Sequence, residues 1–478
     1  MKNGIFTRKR ASLLMLAVAS TAFVNAQFLR TSYSQDVPYA MQMNPAMTPS
    51  RGYVAPLLGP FGTAVKSNVF GINDVVDMID AKDNYFSSDD FLSKLKDDNT
   101  LTMSVAWDQL GAGWVQGKGF WSFSIGTRID VGASMPKTLF TFMNDMNGGA
   151  IDWTNGVDFS LAGEEIQMQA YQEVGVGYAR RINDQLTVGA KVKALFGLAR
   201  MDFKIQDLSV STPTGLDFDA ASNFDWSDYA TIEDIQKAAQ EVRSKITGTA
   251  SMKVAGSMKT SMGGLKWKKK ADGSIDGADM NGFGVSGYGI GLDLGATYKV
   301  LDNLTITAGI TDLGFINWGK KDAQEITIGV DETYNLDNDD DLMRFAEKVS
   351  SEDIINFKML NMQESEGEST TTSLYTTVSV GGQYKLLDDK LVLGLLSTTR
   401  FAKPKTLTEL TLSGAYNLSS ALNVALSYSM IQSAGQSIGL GLKLGPLYLG
   451  TDYMYFGNNS KCVNAMIGLS IPLGKKRL

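Results

Sequence analysis

"WSFSIGTRIDVGA", residues 121–133, decides how the rest of the chain reads. Trp121, Phe123, Ile125, Thr127, Ile129, Val131 and Ala133 fall on one face. Ser122, Ser124, Gly126, Arg128, Asp130 and Gly132 fall on the other. Strict alternation is the signature of a strand with two unlike faces. An ordinary strand ends after about five or six residues, whereas one that crosses a bilayer needs roughly 9–11.

The same period recurs on both sides of this stretch. "YGIGLDLGATYKV", 288–300, sets Tyr288, Ile290, Leu292 and Leu294 against Gly289, Gly291, Asp293 and Gly295. "LTVGAKVKALFGL", 186–198, alternates until a slip near Arg200, which reads as a bulge or a membrane boundary. Four hairpins share one plan, with a small residue three places before a tyrosine, then a turn rich in Asn, Asp or Ser. Their tyrosines are Tyr178, Tyr298, Tyr384 and Tyr416. Polar turn residues cap their own backbone. Tyrosine beside each turn suits an aromatic girdle at a membrane interface, expected here on the periplasmic side.

Counting outward gives strands at 54–70, 101–108, 119–133, 169–181, 185–206, 282–300, 303–318, 373–386, 390–402, 406–418, 421–431, 436–444, 446–455 and 462–473. The expected fold is all-β: a transmembrane antiparallel barrel of about 14 strands. The even count puts both termini on the side of the short turns. Long connections at 71–100, 134–168, 207–279 and 319–372 fall at the other end. Helices are expected inside them at 72–80, 89–97, 231–246 and 339–357, and residues 250–262 read as part of a hairpin above the membrane. A soluble β-sandwich is the alternative.

Composition narrows the function. Residues 1–26 carry Lys2, Arg8, Lys9 and Arg10, then a short apolar run and Val24-Asn25-Ala26. That is a secretory signal peptide, too short in its apolar part for a comfortable span. The outer membrane is the destination it implies for a barrel. Net charge is −7, and loss of those four cations takes it to −11. No nucleic-acid partner is expected of so acidic a chain. Histidine is absent and cysteine occurs once, at Cys462. Histidine-based catalysis, histidine metal sites and an intrachain disulfide are excluded. No enzyme, cofactor or metal is expected.

Local motifs point to little chemistry. Gly282, Gly284 and Gly287 match a dinucleotide-binding spacing, but no helix follows them. Asp337, Asp339 and Asp341 resemble the start of a calcium loop that lacks its glycine and its closing glutamate. "LKWKKK", 265–270, places Lys266, Trp267 and Lys268 where lipid or lipopolysaccharide phosphate is a candidate contact; a solvated loop is the plainer reading.

Residues 27–52 precede the first strand and hold "MQMNPAMTP", 41–49. Pro38, Pro45 and Pro49 prevent central-strand pairing. Met41, Met43 and Met47 offer adaptable apolar contacts. Asn44-Pro45-Ala46 in this place resembles the long-chain fatty-acid transporter superfamily of outer-membrane barrels. "TDLGFINW", 311–318, is similar to a segment of its Bacteroidota relatives, among them the barrel that shuttles cargo in type IX secretion. The chain as a whole looks closest to an uncharacterised Bacteroidota barrel family in that group. The resemblance implies that 27–52 is a hatch folded into the lumen, Asn44, Pro45 and Ala46 included, with 53–478 as the barrel. It also implies a small hydrophobic ligand. A protein partner, met through large extracellular loops, is the competing expectation. The chain departs from many such barrels by ending in Lys476-Arg477-Leu478 instead of an aromatic residue.

Overall fold

A computed structural model describes residues 29–56, 59–71, 74, 89–141, 155–215, 243, 246–271, 275–350, 361–419, 421–431, 435–453 and 461–474. The expected signal peptide, and nearly all of the expected helices at 72–80 and 231–246, lie outside these residues.

Every strand segment belongs to one connected antiparallel system. The first are β1 (Gly52–Pro56), β2 (Phe61–Ser67), β3 (Asp98–Gln116), β4 (Gly119–Pro136), β5 (Asp158–Leu161), β6 (Glu164–Arg181) and β7 (Leu186–Ser211). Then come β8 (Thr249–Lys269), β9 (Ile275–Gly284), β10 (Gly287–Leu301), β11 (Leu304–Trp318), β12 (Ala323–Asn335), β13 (Asn361–Glu366), β14 (Thr370–Ser373) and β15 (Thr377–Leu386). The last are β16 (Leu391–Arg400), β17 (Leu407–Asn417), β18 (Leu422–Ile431), β19 (Gly435–Leu444), β20 (Leu447–Thr451), β21 (Cys462–Leu469) and β22 (Ile471–Leu473).

Fourteen of the resulting strands form a closed ring. β1 and β2 are two halves of the first wall strand, β14 and β15 of the eighth, and β21 and β22 of the last. Closure comes where Gly52 pairs with Leu473 and Phe61 with Ile467. A ring leaves no free sheet edge inside the hydrocarbon, where unpaired backbone is costly, and here the exception is one short stretch between β2 and β3. Outward residues such as Val176, Ile290, Leu395, Leu412 and Leu426 are exposed and apolar. Inward ones such as Ser379, Thr411, Ser413 and Ser427 are buried and small or polar. The two faces of 121–133 separate this way, with Arg128 and Asp130 inside. Among the described residues no helix is long and apolar enough to cross a membrane.

The expected slip near Arg200 is a bulge. Ala170 pairs with Ala199 but Tyr171 with Gly197, so Leu198 is the extra residue. A second bulge, between Asp108 and Leu110, explains why the expected strand 101–108 runs on to Gln116: its alternation breaks but its pairing does not. The long connections are less irregular than expected. β7 rises beyond the ring and pairs with β5 and β8, β8 with β12, and β12 with β13. The region 319–372, expected to be loop, therefore contains two strands of a raised sheet. Residues 250–262 do lie in that sheet, on β8. Short helices follow at α1 (Asp89–Lys94) and α2 (Asp339–Ser350), within two of the expected helical stretches.

Candidate functional site

The lumen is filled from the N-terminal end. Arg30–Ser34 and Pro38–Gln42 form two tight 3-10 turns. Leu29, Tyr33, Val37, Tyr39, Ala40, Met43 and Ala46 of this segment are buried. Asn44 accepts the Ala46 amide at 2.9 Å through its side chain, the local bond that makes Asn a turn residue. Its Nδ2 donates to the wall at Ala296 O, 3.1 Å, and Ala308 O, 2.9 Å.

The wall is shaped to receive it. Gly189, Gly295 and Gly309 lie side by side in register on β7, β10 and β11, with Ser379 of β15 next in the row. A Cβ on Gly189 would stand 2.6 Å from the Pro45 carbonyl carbon, and one on Gly295 only 1.9 Å from Asn44 Oδ1. Ser379 donates to Met43 O at 3.1 Å. Asn44, Pro45 and Ala46 thus lie together on a row of small residues.

A second hold is ionic. Arg30 Nη1 donates to Glu409, Nη2 to the Tyr453 hydroxyl at 2.8 Å, and Nε to Thr411 at 3.1 Å. The Asp452 carboxylate takes the Arg30 and Thr31 amides at 3.0 and 2.8 Å. Lys66 of β2 meets the other Glu409 oxygen at 2.6 Å. All four charged side chains are nearly fully buried. Charges so placed are tolerated only when paired and hydrogen-bonded.

Toward the end with long connections the lumen is crossed by further ion pairs. Arg128 meets Asp108 at 2.6 Å and Glu173 at 2.8 Å. Lys193 meets Asp293 at 2.8 Å and Asp312 at 2.6 Å. Arg400 reaches from β16 to Asp130 at 2.7 Å and Ser104 at 2.8 Å, with its guanidinium over the Tyr375 ring. Gln42 donates to Asp108 at 2.9 Å, so the N-terminal segment touches this layer.

One part of the wall is not zipped. β2 pairs with β21 from Phe61 to Lys66, but among the described residues its only ladder pair to β3 is Ser67 with Leu101. The far end is pinned by Asp108 N donating to Pro60 O at 3.0 Å. Between them, Phe61–Lys66 and Thr102–Trp107 lie side by side without ladder pairs. A narrow recess behind this seam is lined by Ala64, Lys66, Met103, Ser104, Asp130 and Arg400, among others.

The remaining expected residues are separate from this lumen. Tyr298, Tyr384 and Tyr416 are exposed and Tyr178 half-buried, all four on the outer face beside short turns. Tyr178 packs on Trp121 with ring centroids 4.6 Å apart. On the raised sheet Lys266 and Lys268 share an exposed face, and Lys268 pairs with Asp279 at 2.8 Å. Trp267 points the other way, into an apolar cluster with Val254, Ile275 and Ile326. The acidic run at 337–341 caps α2: Asn338 accepts the Asp340 and Asp341 amides. In the same region, burial, with the Glu332 carboxylate beside it, pushes the Tyr334 hydroxyl above its ordinary range.

Arg30, Lys66, Glu409, Asp452 and Arg400 escaped the sequence reading. Their partners lie hundreds of positions away, which no local pattern reveals. A signal did exist, since Arg128 and Asp130 interrupt the small-residue face of an otherwise regular strand.

Residues 45–452 match a family model described as "Family of unknown function (DUF5723)". No curated protein matches the chain. Among solved structures, the toluene transporter TodX of P. putida is similar at 10% identity and TM-score 0.39, over 92% of this chain and 95% of that one. A FadL homologue of Pseudomonas aeruginosa is similar at 10% and 0.38, over 94% and 98%. The translocator domain of the autotransporter NalP from Neisseria meningitidis is similar at 8% and 0.32, over 99% of each.

Proposed function

We propose that this chain, which belongs to the DUF5723 family, sits in an outer membrane as a gated barrel that binds small hydrophobic molecules and passes them across. The observation that carries the reading is a lumen occupied by the N-terminal segment beside a stretch of wall without ladder pairs. The wall needs no internal segment for its own hydrogen bonds, yet residues 29–49 occupy the interior through separable polar contacts. A plug of that kind is a hatch. Beside the seam between β2 and β3, Val105 and Trp107 of β3 lie on the outer face and give it an apolar lip. A hydrophobic molecule leaving or entering there avoids water.

The same reading turns the short turns and their tyrosines toward the periplasm. It turns Lys266 and Lys268 toward lipid or lipopolysaccharide phosphate, and leaves Trp267 a packing role. The raised sheet, with its own apolar core, favours a second reading: a scaffold that acts by binding a protein at the surface, in secretion or otherwise.

Mild-detergent purification followed by mass spectrometry separates the two. A hydrophobic compound is expected at near one-to-one stoichiometry, and deletion of residues 27–50 is expected to abolish it. An empty barrel that instead carries a protein bound to the raised sheet would sink the transport reading.

A further inference from the structure

The two oxygens of Glu409 serve different parts of the molecule. One receives Arg30 from the N-terminal segment and the other Lys66 from β2. β2 is the wall strand held to β3 only near its ends. Arg30 and Lys66, set against Glu409 and Asp452, make a buried group with balanced charge. Lys66 also lines the recess behind the seam.

We propose that Glu409 is a positioning residue that couples the N-terminal segment to the seam. When Arg30 withdraws, Lys66 alone faces two carboxylates. Attraction between buried charges is strong because little water screens it, so the hold on Lys66, already 2.6 Å from Glu409, tightens and its ammonium is pulled between Glu409 and Asp452. Its strand can follow while it stays paired with β21, since between Phe61 and Lys66 no ladder pair to β3 has to break. By linkage the effect runs both ways: whatever moves β2 changes the hold on Arg30 by the same free energy. The lumen and the side wall then respond as one device.

The inference rests on the gated-barrel reading, but its test uses no cargo. Continuing the register from Ser67 and Leu101 sets Val65 opposite Met103 across the seam. Cysteines at these two positions, with Cys462→Ser, report the seam through their rate of oxidative cross-linking in the full-length, membrane-inserted protein. Arg30→Met is expected to change that rate by about fivefold or more. With Lys66→Met also present, Arg30→Met is expected to change nothing. Glu409→Gln gives a second route: it should change the rate alone, and Arg30→Met added to it should have no further effect. Heat-modifiable gel migration confirms that each variant still forms a barrel. A rate indifferent to both Arg30 and Glu409, or shifted equally with and without Lys66, overturns the coupling. That outcome leaves transport standing, because ligand co-purification tests it separately.

Discussion

Gly295→Leu is expected to expel the Asn44-Pro45-Ala46 segment from the wall while leaving the barrel closed. The first added carbon alone would lie 1.9 Å from Asn44 Oδ1 and 2.9 Å from Pro45 Cδ, so the segment must lift off. Overpacking of this kind costs about 1–3 kcal/mol. Loss of the two Asn44 bonds to Ala296 and Ala308 adds about 1 kcal/mol each. The wall itself loses nothing, because Gly295 keeps its backbone pairs to Gly309 and Gly189. Trypsin gives the readout. Arg30 is buried and hydrogen-bonded in the native protein, so cleavage after it should be negligible. In the variant it should become a major site, while gel migration still reports a barrel. Gly382→Ala is the control: its added carbon meets nothing nearer than 3.9 Å, and Arg30 should stay protected.

Arg30→Met should produce the largest loss of stability of any single change in the N-terminal segment. It leaves Asp452 and half of Glu409 facing an apolar side chain in a buried site. Removing one partner of a buried pair costs about 3–5 kcal/mol. Lys66 still neutralises part of Glu409, and Asn464 still donates to Asp452 at 3.0 Å, which places the expected loss at the lower end of that range. Thermal melting in detergent, followed through protease protection of residues 29–49, measures it. Arg30→Lys should recover only part of the loss. An ammonium group cannot reach Glu409, Thr411 and Tyr453 together as the planar guanidinium does.

The wall was legible in the sequence because its physics is local. Side chains of a half-lipid, half-lumen strand must alternate, so 303–318 and 421–431 were placed within a residue of Leu304–Trp318 and Leu422–Ile431. Errors fall where alternation fails without loss of pairing. The bulge at Asp108 hid half of β3. Pro56 and Pro60 flank the break in the first wall strand, expected whole at 54–70. The raised sheet was mostly hidden. β12 does alternate, with Ile326, Ile328, Val330 and Tyr334 on one face against Glu325, Thr327, Asp331 and Thr333 on the other, but Glu332 interrupts the apolar face and the acidic run at 337–341 beside it reads as loop. Asn44, Pro45 and Ala46 were legible as a segment that cannot be a strand. Their glycine seat was not, because Gly189, Gly295 and Gly309 become neighbours only once the register is fixed. Glu409 offered the same faint signal as Arg128 and Asp130, a charge on the small-residue face of a regular strand, but nothing local names Arg30, 379 positions away, as its partner.

The central claim is that residues 29–49 lie inside the barrel in the membrane. A photo-reactive amino acid at position 43, activated in intact cells, tests it most directly. Met43 is buried against Leu396, and its carbonyl meets the side chain of Ser379. Cross-links within the chain, to β16 around Leu396 or to the Gly309–Ser379 row, are the result expected. Cross-links to other proteins or none at all, with the barrel intact, would contradict it.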